Sequence, residues 1–291
     1  MLKMKHITLS FGEKKIFDDL SLNFEEGKII GLVAPNGTGK STLMNIILNN
    51  LTPQSGFIEY NSLRYKNEHD VVKLHKQICA FPDQSDLFSF MTGRDHLNLY
   101  ADLWNNSSMS VNGIIKKLNM KDYVDHKVET YSLGMKQRLC FAMVVAANTP
   151  VMLLDEVMNG LDPQNVSLIS EVLVDLKKKQ KIIIMASHLL QNLQKYADRI
   201  LFLKDGGVIQ DFDNRKQDSQ YLKVRASAEI SKLLVNLKYE ELPDGLILIP
   251  IFQNNADALV KVSTKLLQHH IQYSVCRISI GDLFNKIYGV N

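Results

Sequence analysis

The sequence predicts an α/β fold built on a mostly parallel sheet, followed by a small α+β domain. Three observations carry this. Apolar runs alternate with amphipathic stretches between residues 151 and 203, the pattern of parallel strands covered by helices. A glycine-rich turn lies between an apolar run, Ile29–Val33, and a helix-spaced segment, Leu43–Leu48. A largely helical stretch, about residues 92–148, interrupts the alternation and reads as a subdomain with its own task.

Taken in order, Lys3–Ser10 and Leu20–Phe24 alternate as antiparallel strands around a polar turn at Gly12-Glu13-Lys14-Lys15. Ile29–Val33 is a buried strand, and Phe57–Tyr60 and Ile78–Phe81 are further strands. Amphipathic faces run through Asp95–Trp104, Val111–Leu118 and Lys136–Ala147. Next come strand Val151–Leu154, helix Gln164–Lys178, strand Lys181–Ala186, helix Leu189–Tyr196 and strand Arg199–Leu203. The polar run Asp211–Ser219 breaks the apolar pattern and reads as a linker. Beyond it the expected order is strand Tyr221–Arg225, helix Glu229–Leu237, strand Leu246–Phe252, helix Ala256–His269, strand Ile271–Arg277 and helix Asp282–Tyr288. The boundaries are therefore drawn at 1–214 and 215–291.

Composition narrows the function classes. A chain of 291 residues, 45% apolar and 22% charged, suits a globular protein with a sizeable core. Its net charge of +3 is too mild to demand nucleic acid, and the basic residues are scattered. The three cysteines, Cys79, Cys140 and Cys276, have no metal-ligand spacing and read as reduced packing residues. Neither a signal-peptide pattern nor a membrane-length apolar run is present, and the longest candidate, Leu139–Ala147, is far too short. Any membrane span must come from another chain.

The chemistry begins at Ala34-Pro35-Asn36-Gly37-Thr38-Gly39-Lys40-Ser41-Thr42. A strand, a tight glycine turn and a helix N-terminus aim backbone N–H groups and a helix dipole at an anion. Lys40 can reach the β and γ phosphates of a nucleoside triphosphate, and Ser41 can place its hydroxyl on Mg²⁺. The first glycine of the strict pattern is Ala34, which is tolerable wherever φ stays negative. Val151–Leu154 runs into two acids. Asp155 can hold Mg²⁺, and Glu156 can orient and deprotonate an attacking water. Ser132 sits where an N-cap belongs, and Gly134 permits close approach of backbone to a ligand.

Together these motifs resemble the ATP-binding subunit of an ABC transporter, over about the first 210 residues. Ala34–Ser41 matches the Walker A loop, Val151–Glu156 matches Walker B and Gly160-Leu161-Asp162-Pro163 matches the D-loop. Tyr131–Met135 resembles the signature motif in a YSLGM form, and His188 falls at the switch-histidine position. Phe11 stands where the family places an aromatic on adenine, although tyrosine is commoner there. Val157-Met158 replace the usual Pro-Thr after Walker B. The glutamine loop is ambiguous: ungapped alignment puts Asp83 at the family glutamine, while Gln84 is the better chemical candidate for Mg²⁺ or water.

The resemblance implies a P-loop NTPase fold: an ABC nucleotide-binding domain with helical and antiparallel β subdomains, then the small α+β domain. It implies ATP and Mg²⁺, with Asn36 to Thr42 on the nucleotide and Ser41, Gln84 and Asp155 on the metal. Two subunits would pair head to tail, so that Ser132 and Gly134 act on nucleotide held by the other chain, and Asp162 is a further nucleotide-binding residue. Glu156 and His188 would then carry hydrolysis. A peripheral position on the cytoplasmic face of the cell membrane follows, with an integral permease as partner and no nucleic acid. Ser279-Ile280-Gly281-Asp282-Leu283-Phe284 and the stretch Tyr131–Arg138 resemble the drug, antibiotic and lantibiotic-immunity exporter branch. The rival is a soluble ABC ATPase acting on ribosomes or nucleic acid, disfavoured by the single P-loop and the short helical region before the signature. A non-hydrolysing regulator is disfavoured by the presence of Lys40, Asp155, Glu156 and His188.

Overall fold

The computed structural model describes residues 1–104, 110–215, 219–234 and 237–289. The chain divides into two compact units, residues 1–212 and 213–291.

The first unit opens with β1 (Leu2–Phe11) and β2 (Lys14–Phe24), paired antiparallel from Leu2↔Phe24 to Phe11↔Lys14. Strand β2 thus begins six residues before the expected Leu20, and the turn shrinks to Gly12-Glu13. Register shifts along β1 and β2 interrupt the in–out alternation that would have revealed the early start. Next come β3 (Lys28–Val33), α1 (Lys40–Ile47), β4 (Ser55–Tyr60) and β5 (Leu63–Arg64). An unexpected helix, α2 (Glu68–His75), is capped by Asn67 and buries only Leu74, so it carries almost no apolar period.

Strand β6 (Ile78–Ala80) leads into the helical region of α3 (Gly93–Trp104), α4 (Val111–Lys117) and α5 (Leu133–Ala147). Helix α5 is not amphipathic as expected: from Leu139 to Ala147 every side chain is buried, as in a helix enclosed on all sides. Then follow β7 (Val151–Asp155), α6 (Pro163–Lys178), β8 (Ile182–Ala186), α7 (Leu190–Tyr196), β9 (Arg199–Lys204) and β10 (Gly207–Asp213). Strand β10 takes Asp211–Asp213 out of the expected linker. Arg199 secures it with two bonds to the Asp211 carboxylate, 2.8 and 2.6 Å. Lys216–Asp218 of that linker lie outside the described residues.

Two sheets share one core. The antiparallel sheet has the order β2-β1-β4-β5, and the six-stranded sheet has the order β10-β9-β3-β8-β7-β6. Side chains from both, including Met4, Phe17, Phe24, Leu153, Ile184 and Leu201, pack around Leu43 and Ile47 of α1. Pairing of β3, β7, β8 and β6 is parallel, and Leu32 and Asp155 both stand opposite Ala186. This register brings the carboxyl ends of β3, β7 and β8 level, which is where parallel sheets bind ligands.

The second unit contains β11 (Gln220–Arg225), α8 (Ala228–Leu233), β12 (Glu240–Glu241), β13 (Leu246–Pro250), α9 (Ala256–Gln268), β14 (Tyr273–Arg277) and α10 (Ile280–Tyr288). Helix α8 ends four residues before the expected Leu237, and Val235-Asn236 lie outside the described residues. Strand β13 stops at Pro250, and Ile251–Gln253 form a 3₁₀ turn. The antiparallel order is β12-β13-β11-β14, with Ile230, Val262 and Leu266 packed on Leu222, Val224 and Ile249. A partly buried ion pair, Lys223 Nζ to Asp282 Oδ2 at 2.6 Å, ties α10 to β11.

Candidate functional site

The loop after β3 is shaped by its own residues. Gly37 (φ 74°) and Gly39 (φ 112°) adopt backbone conformations that side chains disfavour. A Cβ on Gly39 would also lie 3.0 Å from both Ile16 Cγ2 and Phe17 Cζ. Ala34 is absent from the positive-φ residues, so its methyl group meets no backbone strain. Thr38 Oγ1 donates to Pro35 O at 2.6 Å and stiffens the turn. Lys40 Nζ donates to Ala34 O (2.6 Å) and Pro35 O (3.1 Å), which hold the ammonium inside the turn. Burial pushes the Lys40 ammonium below its usual range, and the Glu156 and Asp155 carboxylates oppose that shift.

The acids arrive from β7. Asp155 Oδ2 accepts from Ser41 Oγ at 2.9 Å, joining the ends of β7 and the loop. Glu156 occupies a left-handed conformation, φ 52°, unusual for a residue with a side chain. Its N–H donates to Ala186 O at 3.0 Å, and its Oε2 accepts from the His188 N–H at 3.4 Å. Glu156 Oε1 lies 3.1 Å from His188 Nε2, yet it is buried and in no aligned hydrogen bond. Distance alone suggests an ion pair here. Alignment excludes a hydrogen bond, since hydrogen bonds weaken steeply with angle, but leaves the close electrostatic contact in place.

These residues line one cavity of about 340 Å³: Phe11, Asn36, Gly37, Gly39, Lys40, Ser41, Thr42, Asp155, Glu156 and His188. Phe11, 52% exposed, stands at its lip. The remaining expected residues lie elsewhere. Gln84 borders an adjoining cavity of about 660 Å³, whose wall also includes Asp83, Gln137, Asp155 and Glu156. Asp83 accepts from Ser85 N–H and caps a 3₁₀ turn, so its carboxylate is occupied locally. Ser132 caps α5 by accepting from Met135 N–H, and Asp162 caps α6 by accepting from Asn165 N–H. Within this chain Ser132, Gly134 and Asp162 do not line the loop cavity.

Three contributors had no signal of their own. Lys14 donates to Gly37 O at 3.2 Å and lines the loop cavity with Ile16. Their position beside Phe11 was the available clue. Gln137, inside the stretch that resembles a signature, is buried between Gln84 and Glu156. The second unit has an open groove of about 530 Å³ bordered by Lys232, Lys261 and Lys265, with none of the phosphate-loop residues.

A family model described as ABC transporter matches residues 17–159. YhaQ of Bacillus subtilis, an uncharacterized ABC transporter ATP-binding protein, is 32% identical over 71% of this chain and 69% of its own length. This chain belongs to the ABC transporter ATP-binding proteins. The bacitracin transport ATP-binding protein BcrA of Bacillus licheniformis is 25% identical over 99% of this ABC ATPase and 97% of its own length. A dimeric structure of the ATP-binding cassette MJ0796, bound to ADP and Pi after hydrolysis, superposes with a TM-score of 0.66. That cassette is 25% identical, and the match covers 74% of this chain and 99% of the cassette. The two-sheet α/β fold, the nucleotide-binding loop and ATPase function are those of the family. No described helix is long and apolar enough to cross a membrane.

Proposed function

We propose that this ABC ATPase hydrolyses MgATP in a head-to-tail pair of copies and drives an integral permease that exports antibiotics or peptides. The observation that carries the hydrolytic part is Glu156 Oε1, a buried carboxylate oxygen in no hydrogen bond, on the same cavity wall as Lys40 and Ser41. Such an oxygen needs a donor, and a water aligned on the γ-phosphorus supplies one. The water proton passes to Glu156 as the new P–O bond forms and the bond to the leaving ADP oxygen breaks. His188 Nε2, beside the carboxylate, holds a γ-phosphate oxygen. Phe11 stacks on adenine, and backbone N–H groups of Asn36 to Thr42 cradle the phosphates.

The donor set fits Mg²⁺. The Ser41 hydroxyl and the Asp155 carboxylate converge as hard oxygen ligands, few enough to leave room for phosphate and water. Bound there, the ion neutralises charge on the phosphate oxygens.

Pairing of copies is supported by the placement of Ser132 and Gly134 away from the loop cavity, at the exposed start of α5. Likeness to BcrA over nearly the whole chain supports the exporter branch, and with it a peripheral position at the cytoplasmic face of the membrane. The experiment is complementation. A Cβ at Gly134 would meet only Leu161 Cδ2 at 3.8 Å, so Gly134→Asp tests charge toward a partner rather than internal packing. Lys40→Ala and Gly134→Asp should each be inactive alone, and mixing them should restore ATPase through one intact composite site. A mixture as inactive as its components refutes the shared site.

A further inference from the structure

Gln137 is a buried amide, 5% exposed, on a helix that is otherwise apolar from Leu139 onward. Both ends of its side chain are engaged. Its Oε1 accepts from Gln84 Nε2 at 2.5 Å, and its Nε2 donates to the main-chain carbonyl of Glu156 at 2.9 Å. The orientation of this amide is therefore unique, since a flipped one would face donor with donor and acceptor with acceptor. The carbonyl it grips belongs to the residue with φ 52°. Left-handed backbone persists for a residue with a side chain only where its surroundings hold it. Here the Glu156 N–H is tied to Ala186 O, and its carbonyl accepts from Asn159 N–H (3.0 Å) as well as Gln137.

We propose that Gln137 is a positioning residue through which the Gln84 loop sets the geometry of the Glu156 carboxylate. This rests on the reading of Glu156 as the base. With Gln84 bonded to it, Gln137 is held against the Glu156 carbonyl and fixes the backbone from which the carboxylate projects. When the loop carries Gln84 away, Gln137 loses its donor and keeps its bond to the Glu156 carbonyl. The state of the loop is thereby transmitted to the base through Gln137. Among the described residues the phosphate loop makes no hydrogen bond to Gln137, so the link acts on the base rather than on the phosphate cradle.

The test is a pair of Gln137 variants, each made in the native background and in Glu156→Gln. Gln137→Leu removes both bonds, while Gln137→Glu keeps the acceptor for Gln84 and loses the donor to Glu156. A Gln137→Met variant of similar length substitutes if the leucine protein does not melt cooperatively. In the native background, loss of the bond to Glu156 should lower kcat about tenfold and leave KM for ATP within about twofold. In the Glu156→Gln background the same substitutions should change single-turnover hydrolysis by less than about twofold, because the group they position is gone. Equal losses in both backgrounds, or a raised KM at unchanged kcat, overturn the proposal while leaving the base assignment intact. Undiminished turnover in Glu156→Gln alone overturns the base assignment and this inference with it.

Discussion

Replacing Glu156 by glutamine separates chemistry from folding more cleanly than any other change in this site. The geometry lets the amide keep the shape. Its oxygen can accept from the His188 N–H as Oε2 does at 3.4 Å, and its NH₂ then lies where Oε1 faces His188 Nε2 at 3.1 Å. The left-handed backbone costs the same for either side chain, since the branching at Cβ is unchanged. Stability should therefore shift by no more than about 1 kcal/mol, the difference between a charged and a neutral acceptor for the His188 N–H. Catalysis loses its proton acceptor, and kcat should fall by a factor on the order of 10² to 10⁴. That fall corresponds to about 2.7–5.4 kcal/mol of barrier, well beyond the stability change. Phosphate release measures the rate, thermal melting measures stability, and sedimentation with ATP and Mg²⁺ should show a persistent dimer. A variant that hydrolyses at the native rate refutes the assignment of the base. A variant that is slow and also several degrees less stable refutes the claim that the amide fits.

The permease contact is tested from the loop. Ser85 is exposed beside Gln84, and a Ser85→Cys, Cys276→Ser protein leaves Cys79 and Cys140 buried and one cysteine on the surface. Crosslinking in native cells should capture an integral membrane protein, whereas capture of ribosomes or nucleic acid alone refutes the exporter reading. In the second unit, Asp282→Asn leaves the Lys223 ammonium buried without its counter-charge, which should cost about 3–5 kcal/mol. Burial pushes the Asp282 carboxyl up, but hydrogen bonds from Lys223 and Ser279 outweigh it and hold the group below its usual range. The pair's stabilisation is thus fully present above the unfolded carboxyl value of about 3.9 and is lost as pH falls through the lower folded value. Hydrogen exchange over residues 219–289 should report this acid weakening, because the single tryptophan, Trp104, lies in the other unit. An unchanged acid limb in Asp282→Asn refutes the argument.

Much of the site was legible because its chemistry demands particular residue types at fixed spacing. Lys40 and Ser41 must follow a glycine turn, and Asp155 and Glu156 must end a buried strand beside it. Parallel pairing then explains why segments more than a hundred residues apart meet: Leu32 and Asp155 stand level with Ala186, two residues before His188. What escaped were features set by tertiary context. The early start of β2 is masked by irregular register, and α2 by its single buried side chain. Enclosure of α5 reflects what surrounds it rather than its own periodicity. Lys14 carries no motif, and its contact with Gly37 exists only because the hairpin folds beside the loop.

The departures from ordinary local preference gather at one place. Lys40 is a buried cation, Glu156 a left-handed acid and Gln137 a buried amide. Each would destabilise an isolated element, and each has a main-chain partner: Lys40 the carbonyls of Ala34 and Pro35, Glu156 that of Ala186, and Gln137 that of Glu156, beside its bond to the Gln84 side chain. Main-chain partners remain when a side chain is replaced. Substitutions here should therefore disturb the direction in which a functional group points before they disturb the fold. The three restraints also belong to different elements: the loop after β3, the end of β7 against β8, and α5. A displacement of any one element changes the aim of the carboxylate relative to the phosphate loop. On the proposal that hydrolysis waits for a second copy, the site must be stable as a fold and adjustable as a geometry, and these main-chain restraints supply both.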